Sequence, residues 1–195
     1  MANAKKGTLD RREVVKAILD RRGDALVVTG LGSSCYDCGV HDHPNTFYLW
    51  GAMGAAAMVG LGLALAQPAR RVVVITGDGE MLMGLGSLAT IAVQQPPNLF
   101  VVVFDNGLYG ETGMQPSHTQ SGVDLCAVAR GCGFERVRDV KDEEGLRALA
   151  TLLRTSNRML FARVRISPED APRFLPEKDG VVIKDRVRRA VEKVA

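Results

Sequence analysis

The stretch RVVVITGDGEMLMGLGSLATIAVQQPPNLFVVVFDNG, residues 71–107, decides the fold of this chain. It opens on a β-branched run at 71–76 and closes on a second apolar run, LFVVVFD, at 99–105. Short continuous apolar runs bounded by turn residues read as strands buried on both faces, as in a parallel sheet. Residues 82–94 between them read as a buried helix. Strand, helix and strand in succession make a βαβ unit. Its two strands end in Gly77-Asp78-Gly79-Glu80 and in Asn106-Gly107, on the same edge of the sheet.

Outward from this unit the alternation continues. Residues 25–29 (ALVVT), 134–138 and 159–166 read as strands. Residues 9–22, 124–132 and 142–155 read as helices, and 54–66 (GAAAMVGLGLALA) as a buried helix of small residues. Residues 35–48 are polar and read as irregular, and 106–123 as a long glycine-rich loop. A Pro-rich connection at 167–178 leads to a basic amphipathic helix with Arg186, Arg188, Arg189 and Lys193. The expected fold is α/β, an open parallel sheet with helices on both faces. It forms one domain over 1–195, of which 167–195 are the connection and C-terminal helix. Ligands of such sheets lie at the carboxyl ends of strands. That selects the loops at 30–34, at 77–80 and from Asn106 onward.

Composition excludes several classes. A chain of 195 residues, 46% apolar and 24% charged, is globular and can bury its own core. A net charge of +3 gives no footprint for nucleic acid or a membrane surface. No apolar run reaches the roughly 18–20 residues of a bilayer span. The start, MANAKKGTLDRREVVK, has no signal-peptide core, so the four cysteines read as reduced thiols in a cytoplasmic protein.

The chemistry centres on Gly77-Asp78-Gly79-Glu80. Glycines let the backbone approach an anion closely, and the following helix aims its positive end there. Asp78 adds a hard carboxylate oxygen. A diphosphate with a divalent cation suits both features. Asn106 lies 28 positions beyond Asp78, one helix and one strand later, and offers an amide oxygen. Leu108 offers a backbone carbonyl. A lone GDG is a common turn; GDG, helix, strand and Asn-Gly together are far more specific. A dinucleotide-binding Rossmann site is disfavoured, because Gly30-Leu31-Gly32 lacks the third glycine of GxGxxG.

The pattern GDG…NG resembles the cofactor motif of thiamine diphosphate (ThDP) enzymes. Trp50 to Gly54, WGAMG, resembles their pyrimidine-holding segment. Phe47-Tyr48, GLGLAL, GDGEMLMGLGSLATI and GETGMQPSHT bring the likeness closest to the ThDP-binding half of sulfopyruvate and phosphonopyruvate decarboxylases. It covers about residues 27–140. The family's usual Asn-Asn pair reads Asp105-Asn106 here, which keeps the metal-binding member.

The resemblance implies ThDP and Mg²⁺ as cofactors. Asp78, the side chain of Asn106 and the carbonyl of Leu108 would hold the metal. Gly77, Gly79 and Glu80, with Thr29 and the loop Gly30 to Ser33, would face the diphosphate. The carbonyl of Gly51 would accept from the 4′-amino group, and Met53 would wedge the cofactor into its bent, reactive shape. Ala52 and Tyr109 complete the cofactor-contacting set. The implied reaction is decarboxylation of a small 2-oxo acid, with sulfopyruvate or phosphonopyruvate as the pattern. Carboligation or 2-hydroxyacyl lysis would use the same cofactor, and a non-catalytic module would keep the fold alone.

The family also needs a glutamate against the pyrimidine ring, carried by a separate pyrimidine-binding domain. The expectation is that a second subunit of a hetero-oligomer supplies it. Glu111 and His118 are the candidate proton-transfer residues, set against surface roles in a loop. His41 and His43 around Asp42 are pocket candidates; two His and one Asp in a loop are weak grounds for a metal site. Cys35 and Cys38 form a lone CxxC, and Cys126 and Cys132 have the wrong spacing to complete a zinc ribbon. Met81 and Met83 read as core.

Overall fold

The computed structural model describes residues 8–192 except 21 and 170. Residues 1–7 and Lys193 of the expected basic helix lie outside the described residues. A six-stranded sheet forms the centre: β1 (Leu26–Thr29), β2 (Thr46–Tyr48), β3 (Val72–Gly77), β4 (Leu99–Asp105), β7 (Val137–Val140) and β8 (Leu160–Arg165). All pairings in it are parallel, in the order β2-β1-β3-β4-β8-β7. Val72 stands beside both Leu26 and Leu99, so the central registers are in step.

The sheet is buried on both faces, as its continuous apolar runs require. Val73, Ile75, Phe100 and Val102 pack with α1 (Arg11–Leu19), α2 (Ser33–Gly39) and α7 (Glu143–Thr155). Val72, Val74, Leu99 and Val101 pack with α3 (Ala56–Ala66), α5 (Ser87–Gln94) and α6 (Leu125–Cys132). α8 (Gly180–Glu192) lies against the edge strand β2 and sends Ile183 into the first of these cores. Among the described residues no helix is long and apolar enough to cross a membrane.

Four expectations are corrected. Residues 35–48 are not irregular: they hold most of α2 and all of β2. The buried helix expected at 82–94 is two helices, α4 (Asp78–Met83) and α5, broken at Gly84. A Cβ on Gly84 would lie 2.0 Å from the carbonyl oxygen of Gly54, so close packing of two backbones sets the break. The loop at 106–123 carries a small antiparallel hairpin of β5 (Leu108–Tyr109) and β6 (Gln115–Pro116). The strand expected at 134–138 starts at Val137 instead. Phe134 packs edge-on against Phe161 as core filling.

The small residues of α3 have two roles. A Cβ on Gly60 would meet Val74 at 2.2 Å, so Gly60 serves contact with β3. Gly62 has open space around it, and Met58 and Leu65 are exposed beside it. Helix caps follow the sequence where an aspartate is available. Asp10, Asp124 and Asp142 accept backbone N–H bonds at the starts of α1, α6 and α7.

Candidate active site

β1 has β2 on one side and β3 on the other, so the chain reverses direction across the sheet between β1 and β3. This is the topological switch point, where a crevice opens at the carboxyl ends of the strands. The crevice is lined by Leu31 and Ser33 after β1, by Gly77 to Glu80 after β3, and by Asn106, Leu108, Tyr109 and Glu111 after β4. Met53 reaches it from the segment before α3. Two helices start here, α2 behind Gly32 and α4 behind Gly77, and neither has a side-chain cap. Their first amides are therefore open to an acceptor from outside the helix.

Asp78, the first residue of α4, is only 2% exposed. Its Oδ2 accepts from the hydroxyl of Ser117 and, at 3.0 Å, from that of Thr119. The Thr119 hydroxyl is also 2.8 Å from Asp105 and 2.8 Å from Ser117. Two hydroxyl protons thus serve three carboxylate contacts, and a hydroxyl has one proton to donate. Burial raises the Asp78 pKa to about 6, the charge of Asp105 adds to this, and the Ser117 and Thr119 bonds oppose it. A buried carboxylate pair short of protons is relieved by a cation.

The oxygen donors beside Asp78 suit one. The Asn106 side-chain oxygen accepts from Leu108 N–H at 2.9 Å, which fixes its direction. Leu108 stands opposite Pro116, which has no N–H, and the neighbouring hairpin bond runs from Ser117 N to Gly107 O at 2.8 Å. The Leu108 carbonyl is thus left unused by the hairpin. A carboxylate, an amide oxygen and a carbonyl form a hard donor set suited to Mg²⁺. Among the described residues no three His, Cys, Asp or Glu side chains cluster to hold a metal, and this donor set is of another kind.

Glu80, 3% exposed, turns its side chain away from the helix start. Oε2 accepts from Leu31 N–H at 3.0 Å and from the Thr76 hydroxyl at 2.8 Å, and Oε1 from Gly54 N–H at 3.3 Å. Burial raises its pKa, and these bonds oppose the rise. One carboxylate therefore ties the β1 loop, the end of β3 and the WGAMG segment together. Gly30 has to be glycine: a Cβ there would lie 1.7 Å from Glu80 Oε2.

Other expected residues are placed differently. Thr29 is fully buried, and its hydroxyl lies 3.0 Å from Cys35 Sγ. Thr29, Gly30, Gly51 and Ala52 do not line the crevice, and Ala52 adopts a positive φ of 53°. Tyr109 lays its ring over Gly79, where a Cβ would be 2.6 Å away. His118 is exposed and outside the crevice, and its Nδ1 is 2.9 Å from the Tyr109 hydroxyl. Glu111 sits over Gly32 at the mouth. His43 and Asp42 are committed to Asn45, Tyr48 and Arg186. Burial pushes the Cys35 thiol up to about 12 and the Cys38 thiol well above its ordinary value, which makes both unreactive.

Sequence reasoning missed Ser117 and Thr119, although QPSHT had drawn notice for its histidine. Their spacing of two was the available signal: 117 and 119 are buried while 118 faces out. It also missed the structure beneath WGAMG. Trp50 donates to the Glu177 carbonyl at 2.6 Å, and its ring lies 5.8 Å from that of Tyr36. Arg173 stands 5.6 Å from the Tyr36 ring and Lys178 6.0 Å from that of Trp50, so the C-terminal connection straps the segment down.

The fold and crevice define a class: an α/β protein with a switch-point site suited to an anionic ligand held with a divalent cation. The chain belongs to the thiamine pyrophosphate enzyme family, whose C-terminal TPP binding domain matches residues 32–162. It is 39% identical over 184 residues to the sulfopyruvate decarboxylase subunit beta of Methanothermobacter thermautotrophicus, covering 94% of this chain and 96% of that one. It is 48% identical over 134 residues to the phosphonopyruvate decarboxylase of Streptomyces viridochromogenes, covering 68% of this chain and 33% of that one. Among solved structures it resembles a thiamin diphosphate-dependent enzyme from Mycobacterium smegmatis. The TM-score is 0.69 and the identity 26%, over 83% of this chain and 32% of that one. It thus spans about a third of these two longer chains and nearly all of the beta subunit.

Proposed function

We propose that this chain is the diphosphate- and Mg²⁺-binding subunit of a ThDP-dependent decarboxylase of a small 2-oxo acid. Sulfopyruvate and phosphonopyruvate, each with a second anionic group, are the substrate pattern that the relatives' names supply. The observation that carries the reading is the convergence of Asp78, Asn106 and Leu108 beside the uncapped starts of α2 and α4. Asp78, the Asn106 amide oxygen and the Leu108 carbonyl would hold Mg²⁺. The backbone N–H groups of Gly79 and Glu80, with those of Gly32 and Ser33 in the Gly30-to-Ser33 loop, would receive the diphosphate, since those of Gly30 and Leu31 are taken by Ile75 and Glu80. Thr29 supports the loop from beneath, with its hydroxyl against Cys35 and its carbonyl accepting from Leu49 N–H.

When bound, ThDP supplies the electron sink for loss of CO₂. The protein's part is placement. Met53 would wedge against the cofactor, the Gly51 carbonyl would accept from its amino group, and Glu80 holds these segments in register. Tyr109 would line the cofactor's path, and Ala52, outside the crevice, sets with its positive φ the turn that presents Met53. Glu111 at the mouth is a proton donor or acceptor toward the substrate. His118 acts through the Tyr109 hydroxyl.

A second, cytoplasmic subunit completes the site with the pyrimidine-binding domain and its activating glutamate. The name "subunit beta" of the near-full-length relative supports this. So do the exposed apolar side chains of Met53 at the crevice and of Met58 and Leu65 along α3. The test is CO₂ release from sulfopyruvate and phosphonopyruvate by the two-subunit complex, with and without an acceptor aldehyde. Mg²⁺- and ThDP-dependent release is expected. Product formed only with the aldehyde would replace decarboxylation by carboligation, and no saturable ThDP binding would sink the enzyme reading.

A further inference from the structure

We propose that Arg11 is an anion-binding residue of the crevice that takes the terminal phosphate of the bound diphosphate. The inference rests on the function proposed above and adds a residue 67 positions before Asp78 that no motif marks. Leu9 forms a parallel bridge with Ile166, and Ser167 N–H donates to the Leu9 carbonyl at 2.8 Å. This pins the start of α1 to the carboxyl edge of the sheet beside β8. Asp10 caps the helix through Arg12 N–H and Glu13 N–H, so Arg11 is the first helical residue.

Arg11 is 7% exposed, yet it lines the crevice together with Ser33, Ser34, Phe104 and Ile166. Its Nε donates to Asp37 Oδ2 at 2.6 Å. Neither Nη meets a protein acceptor among the described residues. Pinning Nε fixes the guanidinium plane and leaves a two-nitrogen fork, the geometry that suits phosphate oxygens. Asp37 does not cancel the charge. Arg12 Nε reaches its other oxygen at 3.1 Å, so two guanidiniums share one carboxylate that is 1% exposed.

Charge balance in the crevice points the same way. Its lining holds the carboxylates of Asp78, Glu80 and Glu111, and Arg11 is the one cationic side chain among the described lining residues. A diphosphate keeps net negative charge beside a single divalent cation. Arg11 is positioned to meet the remainder from the wall formed by α1 and α2, across the crevice from the Asp78–Asn106 donors.

The test is calorimetric titration of the two-subunit complex, carrying wild-type or variant versions of this chain, with Mg²⁺-pyrophosphate and with Mg²⁺-ThDP. Arg11→Met should weaken both by about tenfold to a hundredfold, the loss typical of a charge-assisted bond. Arg11→Lys, which keeps the charge but not the fork, should fall between. Asp37→Asn separates binding from scaffolding: it removes the charge of the α1–α2 ion pair while its amide oxygen still accepts from Arg11 Nε, so the fork stays aimed and affinity should hold or rise. If Asp37→Asn weakens binding as much as Arg11→Met, Arg11 is only a structural tie and the proposal fails. If Arg11→Met does not fold, the Arg11→Met/Asp37→Asn pair removes the stranded carboxylate and carries the same expectation. Wild-type affinity for both probes in the Arg11 variants overturns the proposal while leaving the ThDP site standing. Unchanged ThDP affinity with lost affinity for a phosphonate- or sulfonate-bearing 2-oxo acid would overturn the cofactor assignment and move Arg11 to the substrate. A wild-type two-subunit complex that binds neither probe refutes the proposed function itself.

Discussion

Replacing Glu80 by Gln tests whether one carboxylate holds three segments of the site. Gln keeps the shape and one acceptor oxygen. The best fit leaves that oxygen on Leu31 N–H and the Thr76 hydroxyl and turns the amide NH₂ toward Gly54 N–H. The bond to Gly54, 3.3 Å in the wild type, is then lost. Bonds to charged groups contribute about 1.5–3 kcal/mol each, and this long one belongs at the low end. The other two, at 3.0 and 2.8 Å, drop from charge-assisted to neutral strength, together about 1 kcal/mol. Relief from burying a charge offsets part of this, since burial raises the Glu80 pKa. The net expectation is a loss of about 2 kcal/mol. For a chain of this size that lowers Tm by about 4–8 °C. Thermal melts at pH 7 followed by circular dichroism measure it, with Glu144→Gln on the exposed face of α7 as the control. ThDP affinity should fall with stability, because the β1 loop and Gly54 are released together. A melt no lower than the control, with cofactor affinity intact, would refute the tie.

Three further perturbations separate the site from its support. Asp78→Asn should abolish Mg²⁺-dependent ThDP binding while Tm holds or rises, since it removes a carboxylate that burial disfavours; calorimetry and melts read the two effects. Gly84→Ala should cost about 1–3 kcal/mol by urea unfolding, because its Cβ would strike the Gly54 carbonyl and a backbone must shift. Asp139→Asn breaks the bonds to Arg163 and Arg165 at 2.9–3.1 Å and the contact with Lys141 at 3.1 Å. Burial alone would raise the Asp139 pKa, but these bonds override it and hold it well below the ordinary value. The stabilisation is therefore full above about pH 4 and is lost as pH falls below that. Urea midpoints of wild type and variant should differ at pH 7 and converge toward pH 2; a constant gap would count against the assignment.

What the sequence revealed depended on how local the cause was. β3 and β4 are legible because a strand buried on both faces needs an unbroken apolar run, and 71–76 and 99–105 supply it. α7 is legible from its Asp142 cap and the spacing of Leu146, Leu149 and Leu153. α2 was not: seven residues of SSCYDCG carry weak helical preference, and the helix is held by Asp37 meeting two arginines from α1, 25 and 26 positions away. The break between α4 and α5 was hidden for the same reason, since its cause is the Gly54 backbone and not the local run. In the site, Asp78 and Asn106 were marked by GDG and NG. Arg11 carried no mark, because it enters the crevice through the bridge of Leu9 with Ile166.

Trp50 is the only tryptophan in the chain and immediately precedes the segment Gly51 to Met53. Its half-buried indole is hydrogen-bonded to Glu177 and flanked by Tyr36 and Lys178. Emission excited selectively in the indole band therefore comes from a single chromophore next to the segment that carries Met53 into the crevice. Its intensity and wavelength report, without any label, on the packing of Trp50 against Glu177, Tyr36 and Lys178, and a stopped-flow trace of that signal would time the arrival of cofactor.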